Sequence, residues 1–323
     1  MIVAQVVINV KPMNIVVYGC GGVGGYFGAR LQDAGHKVHF IARGNHLSAI
    51  LKNGLFVKSI NGNLHVNDIS AGADFSDMPF PKIDLIVFAT KTFQLNSAAE
   101  SIRAWVSEET LLLPLLNGVN NHNILMDFFP KNQILAGLCR IISKIESPGV
   151  INHLDVNPSI SFGPLDGKIS TSHKTIAQAF VSAGIQIKLS KEVQKDIWTK
   201  FIFISSISAL GALTGQPIGI LRQGYLREII VETAKEILHL ANVKGLGLPA
   251  SLIEKQLEII DKQAYHTTAS LQRDILEGRY SELDSQNGTV VAMCKAEGLD
   301  CPNNEMIYEL LRPKNDQLKP SNL

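Results

Sequence analysis

The sequence predicts an α/β protein: an N-terminal doubly wound parallel sheet followed by an all-α C-terminal domain. Three observations carry that expectation. A β-branched run feeds a glycine cluster near the start of the chain; apolar strands alternate with helical stretches up to about Lys188; and from Glu192 onward the pattern is helical almost throughout. At 323 residues the chain is long for one domain and comfortable for two. The expected division gives residues 1–190 as the α/β domain and 191–323 as the helical domain.

The first strand, Asn14 to Tyr18, runs straight into Gly19, Gly21 and Gly24, and the glycines open a helical segment. That order suits a dinucleotide pyrophosphate. Gly19 permits the tight strand-to-helix turn, Gly21 lets the backbone approach the phosphates, and Gly24 lets the helix pack on the strand. The N–H groups and positive end of the helix then receive the anion. This is the Rossmann fingerprint, with Gly19, Cys20, Gly21, Gly22, Val23 and Gly24 as candidate cofactor-binding positions.

The second strand, Lys37 to Ala42, follows the turn at Gly35 and ends on Arg43. In an NAD or FAD unit an acidic residue about 20 positions past the glycines holds the ribose hydroxyls. A guanidinium there pairs instead with a 2′-phosphate through two parallel hydrogen bonds. The expected cofactor is therefore NADP, in its reduced form NADPH, and the missing acid argues against FAD.

Further strands are expected at Leu55 to Lys58 and Leu64 to Val66 around the Asn61-Gly62 turn, then at Asp84 to Thr90, Leu111 to Asn117 and Gln133 to Gly137. Ligands of an open α/β sheet lie beyond the carboxyl ends of its strands. Two polar groups stand there, Lys91 and Asn117. Lys91 suits the cofactor or a substrate carboxylate, and Asn117 suits ribose, nicotinamide or substrate. A solvated lysine and an Asn-Gly turn are the plain alternatives.

The balance of 30 basic against 29 acidic residues leaves no global field for nucleic acid or anionic membrane. The four cysteines, Cys20, Cys139, Cys294 and Cys301, have neither metal-ligand nor disulfide-framework spacing, so they read as reduced thiols of a cytoplasmic protein without a metal. Met1 to Val10 is uncharged but lacks a basic n-region and cleavage site, and reads as an extra edge strand or a disordered extension. Phe201 to Leu221 is long enough to span a bilayer, but its serines, glycines and Pro217 break it into a buried helix and a turn. The end of the chain from Pro313 is polar and expected to fray.

In the helical half, Lys200 is the one charge at the mouth of an apolar run, stacked with Ile204 and Ser208 on one helix face. Such a lysine either snorkels to water or is held for a purpose. Ser270 and Asp274 precede a glycine stop at Gly278. Ser281 then reads as the cap of a new helix, with Asp284 completing a capping-box pattern and Glu282 in the first turn.

The chain resembles the ketopantoate reductase (2-dehydropantoate 2-reductase) family from about Asn14 to Arg312. The likeness rests on the glycine loop, Arg43, Thr90-Lys91, Asn117-Gly118, Trp198 with Lys200, Ser270, Asp274, and Gly278 through Glu282 and Asp284 to Asn287-Gly288. The resemblance implies NADPH-dependent reduction of the 2-keto group of 2-dehydropantoate to pantoate, in pantothenate biosynthesis. It makes Lys200 the general acid and Glu282 its catalytic partner. It places substrate at Asn117, Ser208 and Ser270, with Asn117 also on the cofactor side. A small 2-keto acid is the implied partner, and a homodimer is left open. The family usually carries asparagine where this chain has Ile204, Ser208 and Thr267. A paralogue reducing a more apolar 2-keto acid or ketone is therefore the alternative reading, and a non-catalytic NADP-binding protein the third.

Overall fold

The computed structural model describes residues 11–321; the expectation for Met1 to Val10 lies outside them. The chain divides into two compact units, Met1–Leu116 with Asn121–Val193, and Asn117–Asn120 with Gln194–Leu323.

The first unit runs β1 (Asn14–Tyr18), α1 (Gly22–Asp33), β2 (Lys37–Ile41), α2 (Gly44–Asn53), β3 (Leu55–Ser59), β4 (Leu64–Val66), β5 (Ser70–Gly72) and β6 (Leu85–Phe88). It continues with α3 (Leu95–Ile102), β7 (Leu111–Pro114), α4 (Asn121–Met126), β8 (Leu135–Ser147), β9 (Val150–Pro164), α5 (Thr171–Ser182) and β10 (Gln186–Leu189). Strands β5-β2-β1-β6-β7 form one sheet, parallel throughout. Its strands are buried on both faces, which is why they read as unbroken apolar runs. Ile15 and Val17 of β1 face one core with Phe27 and Leu31 of α1, while Val16 and Tyr18 face the other with Leu95 and Ile102 of α3.

The expected doubly wound parallel sheet is present, and the chain builds a second sheet as well. The second is β10-β9-β3-β4, with β8 paired antiparallel to β9. The expected strand at Gln133 to Gly137 is only the start of β8, whose distal half is exposed and polar and so carries no apolar signal. The two sheets share α1. On one side a Cβ at Gly24 would stand 2.1 Å from the Gly19 carbonyl oxygen, and one at Gly28 would stand 2.3 Å from the Phe40 ring. On the other, a Cβ at Gly22 would stand 2.6 Å from the Ser143 carbonyl oxygen of β8, and one at Gly25 would stand 2.8 Å from Ile151 of β9.

The second unit contains most of α6 (Val193–Thr214), then α7 (Ile218–Leu221), α8 (Gly224–Val243), α9 (Leu252–Lys262), α10 (Ser270–Leu276), a π-helical turn (Asp284–Gly288), α11 (Thr289–Glu297) and α12 (Pro302–Gln317). Leu210, Ile230, Leu271, Leu283 and Ile307 meet in its core. Among the described residues only α6 is long and apolar enough to cross a membrane, and 67% of its most apolar stretch is buried inside the fold. A layer of amides ties the helices together. Asn287 Nδ2 donates to the Ser205 carbonyl at 3.2 Å and to Asn304 Oδ1 at 3.0 Å, and Asn304 Nδ2 donates to Glu236 Oε2 at 2.7 Å.

The C-terminal segment corrects an expectation of fraying, because α12 continues through Pro313 to Gln317. Asn315 holds it there. Its amide is fully buried, and its Oδ1 accepts from Ser281 N at 3.0 Å and Ser281 Oγ at 2.7 Å. All four cysteines are buried and free.

The glycine contacts differ in what they meet, and so in what a methyl group would do. Gly24→Ala drives a Cβ into backbone and is expected to destabilise by about 3 kcal/mol, the upper range for overpacking. Gly25→Ala meets the Ile151 side chain rather than backbone, and the gain in helix propensity of about 1 kcal/mol offsets part of the cost. Guanidinium unfolding midpoints of the two variants check the order; equal midpoints would contradict it.

Candidate active site

The glycine turn forms at the carboxyl end of β1. Gly19 has φ +102°, which an L side chain rarely adopts, and a Cβ there would stand 2.9 Å from the Ala89 backbone. The N–H groups of Gly19 and Cys20 both donate to the Ile41 carbonyl at 3.1 Å, so the end of β2 closes the turn. That leaves the first N–H groups of α1, from Gly22 and Val23, without partners inside the helix, as at any helix start. A Cβ at Gly21 would meet nothing within 4 Å, so this is the face open to a ligand. The first turn of α1 carries no acid to repel an anion. Cys20 fills the turn as a small hydrophobe; burial pushes its thiol up to about 12.

Arg43 is exposed at the end of β2 and is the N-cap residue of α2, followed by Gly44 at φ +57°. Its guanidinium makes no hydrogen bond or ion pair within the described residues, so it is available to an outside anion. Lys91 is half-buried beyond β6, where its backbone N–H donates to Gln94 Oε1 at 3.3 Å. These residues therefore share the carboxyl edge of the parallel sheet, where ligands of such sheets bind. A groove of about 930 Å³ opens instead where β1 and β7 begin, with Lys82, Asp84, Lys131 and Asp166 among its walls; its mixed charge and position give it no part in the nucleotide reading.

The second unit holds a chain of three polar groups. Lys200 Nζ donates to Asn117 Oδ1 at 2.9 Å, and Asn117 Nδ2 donates to Glu282 Oε2 at 3.1 Å. The amide turns its carbonyl to the cation and its NH₂ to the carboxylate, so both dipole ends are matched. Lys200 and Asn117 are half-buried, and Glu282 is only 4% exposed. Residues Asn117 to Asn120 pack with the helical unit although their neighbours on both sides belong to the first. Gly118, at φ +93°, makes the turn, and a Cβ on it would sit 3.2 Å from the Ser285 carbonyl oxygen.

Ser208 and Ser270 are not joined to this chain by hydrogen bonds among the described residues. Ser208 is fully buried and its hydroxyl donates to the Ile204 carbonyl at 2.6 Å; Ser270 is half-buried at the first residue of α10. The expected capping box at Ser281 and Asp284 does not form. Ser281 is held by Asn315, and the Asp284 carboxylate accepts from Tyr280 at 2.8 Å and Tyr308 at 2.9 Å. Burial and that carboxylate push the Tyr308 phenol up to about 12. Glu282 consequently lies just before a π-helical turn rather than in the first turn of an α-helix. Sequence reasoning missed the backbone of Ser143, which covers Gly22, and the tyrosine pair on Asp284. Neither contact has a local pattern that would reveal it.

The glycine turn of the first unit has the form of a dinucleotide-binding loop, and the helical unit holds a lysine ordered by an amide. The sequence matches the ketopantoate reductase PanE/ApbA model over residues 15–167 and the model of its C-terminal region over 192–315. The chain belongs to this family of NAD(P)-dependent, 2-dehydropantoate 2-reductase-like oxidoreductases. It is 29% identical over 303 residues to the uncharacterized oxidoreductase YkpB of Bacillus subtilis, spanning 93% of this chain and 98% of that protein. The 2-dehydropantoate 2-reductase of Geobacter metallireducens is 28% identical with a TM-score of 0.88, over 93% of this chain and 99% of the other. D-mandelate dehydrogenase, solved with NADH and anilino(oxo)acetate, shares the fold at 22% identity and TM-score 0.87, over 95% and 99% of the two chains.

Asn117→Leu keeps the branched outline of the side chain at a larger volume and removes the hydrogen bonds to Lys200 and Glu282. Turnover is expected to fall about 100-fold, as when one placed polar group is lost from a reaction site. Steady-state kinetics beside a thermal melt check this; an unchanged kcat with a lowered melting temperature would give Asn117 a structural role only.

Proposed function

We propose that this chain reduces the 2-keto group of a small 2-keto acid with NADPH, and that 2-dehydropantoate, reduced to pantoate for pantothenate biosynthesis, is the first substrate to test. The observation that carries the reading is the Lys200–Asn117–Glu282 chain of hydrogen bonds. When bound, the nicotinamide supplies a hydride to the carbonyl carbon. Gly21, Gly22 and Val23 offer backbone N–H groups to the pyrophosphate, Lys91 offers a cation beside it, and Arg43 pairs with the 2′-phosphate.

Lys200 hydrogen-bonds the substrate carbonyl oxygen, stabilises the negative charge that develops there and delivers the proton that completes the alcohol. A lysine is cationic at neutral pH, its reference pKa being about 10.4. Asn117 holds Nζ from the far side and keeps its remaining N–H bonds directed. Glu282 anchors the other end of that amide and accepts a hydrogen bond from a substrate hydroxyl. Ser270 lies at the substrate carboxylate. Four buried free thiols suit a reducing compartment, and the enzyme is proposed to be cytoplasmic.

Ile204 favours a second reading. One helical turn past Lys200, a half-buried branched hydrocarbon stands on the same face, and the Ser208 hydroxyl beyond it is already bonded to the helix. A wall of this kind gains little from a hydroxylated substrate and more from an alkyl one. The alternative substrate is therefore a 2-keto acid or ketone with an apolar tail. A binding protein without turnover is the reading that Lys200 and Glu282 make least economical.

Lys200→Ala is expected to lower kcat by about 10²- to 10⁴-fold while the NADPH KM stays near wild type. Near-normal turnover would remove its role as acid. Arg43→Ala should raise the KM for NADPH far more than that for NADH, and an equal rise for both would reject the 2′-phosphate contact. Assay of 2-dehydropantoate beside alkyl 2-keto acids decides the substrate: turnover of the alkyl acids alone selects the second reading, and NADPH binding without any turnover selects the third.

A further inference from the structure

Arg273 is a cation that the protein partly desolvates and does not neutralise. It is half-buried on α10, three residues after Ser270 and on the same face. Its Nη1 donates to the carbonyl oxygen and to the hydroxyl of Thr268, the latter at 3.2 Å, and both acceptors are neutral. The nearest carboxylates along the chain are claimed by another residue. Arg279 Nε donates to Asp274 Oδ1 at 3.0 Å, and Arg279 Nη1 is paired with Glu277. No ion pair reaches Arg273 among the described residues. Burial holds its guanidinium below the usual arginine value, and Asp274 and Glu277 offset that only in part.

Its place in the unit is equally specific. Gln272, the preceding residue, fills the space at Gly211, where a Cβ would stand 2.7 Å from Gln272 Oε1. Gly211 and Lys200 are eleven positions apart on α6, close to three full turns, and so share one face of that helix. After α10 the chain turns at Gly278 and reaches Glu282. Arg273 thus stands on the segment that leads from the lysine-bearing face of α6 to Glu282. One edge of its guanidinium is tied to Thr268, and among the described residues the Nε–Nη2 edge has no hydrogen-bond partner. That free edge matches a carboxylate in a two-point pair, and partly desolvated charges are ordinarily paired.

We infer that Arg273 receives the carboxylate of the 2-keto acid, with the Ser270 hydroxyl beside it. This rests on the reductase reading above and adds a specificity-determining residue to it: the site selects acids over neutral ketones.

The test compares wild type, R273Q and R273K with 3-methyl-2-oxobutanoate, with its methyl ester and with 2-dehydropantoate. For R273Q the KM of the acids is expected to rise about 10- to 100-fold, as for loss of a charged hydrogen-bonded pair. The KM for NADPH should stay within about twofold, the preference for acid over ester should collapse, and R273K should recover part of it. An acid-to-ester preference that R273Q leaves unchanged overturns the assignment. Calorimetric titration of the NADPH-loaded protein with the same acid separates this from the reductase reading. Absence of turnover with acid binding that R273Q abolishes and R273K retains would sink the reductase and keep the carboxylate site. Acid binding indifferent to R273Q, or no acid binding, overturns the site.

Discussion

The first unit depends on the absence of side chains along α1. Four helix positions that would each gain about 1 kcal/mol of helix propensity as alanine are glycine instead. Two faces of the helix need the clearance: Gly24 and Gly28 against the parallel sheet, Gly22 and Gly25 against β8 and β9. A dinucleotide loop requires the first kind of contact. The second kind belongs to this architecture, where a second sheet closes over the same helix. The helix start is thereby held on both sides, and its N–H groups face the open space at Gly21. The turn before it is closed by the Ile41 carbonyl, which accepts from both Gly19 and Cys20.

The second unit depends on one amide. Asn117 lies 83 positions from Lys200 and 165 from Glu282, so its hydrogen bonds fix two distant helical segments to a single loop. Asparagine is the side chain that satisfies a cation and an anion at once without carrying charge. Aspartate would repel Glu282, and a hydrophobe would take one donor away from a buried carboxylate, which costs more than the bond is worth when made. Gly118 follows because the chain turns there at positive φ and a Cβ would stand closer than ordinary contact to the Ser285 carbonyl oxygen.

What could be read from the sequence divides along the same lines. The parallel strands, the glycine turn and Arg43 carry local signals: unbroken apolar runs, a fixed glycine spacing and a cation at a strand end. The division of strands between two sheets had no such signal, because β8 keeps its hydrophobic residues only where it meets the core. Lys200 stood out as the one charge beside an apolar run, but its amide partner could not be inferred from spacing. Residues Asn117 to Asn120 fold with a unit that begins more than 70 positions later. The frayed tail and the capping box failed for one shared reason. Asn315 and Ser281 bind each other, and a pairing over 34 positions overrides both proline at 313 and the capping pattern at Ser281.

The π-helical turn after Glu282 follows from the demands placed on that short segment. Asp284 is drawn toward α12 by Tyr308 and back along the chain by Tyr280, and the Tyr308 ring comes within 2.8 Å of where a Gly288 Cβ would be. Asn287, three residues on, reaches Ser205 on α6 as well as Asn304 on α12. An α-helical turn would have to meet these tethers within 3.6 residues; the wider turn spreads them, and such turns recur at functional sites. The consequence is local. Glu282 stands at the entry to this turn, with its carbonyl accepting from Gln286 N at 3.0 Å and its carboxylate turned to Asn117. The buried amides that shape the turn therefore also aim the carboxylate, and the position of Glu282 is set by packing around Asn287 as much as by its own bond to Asn117.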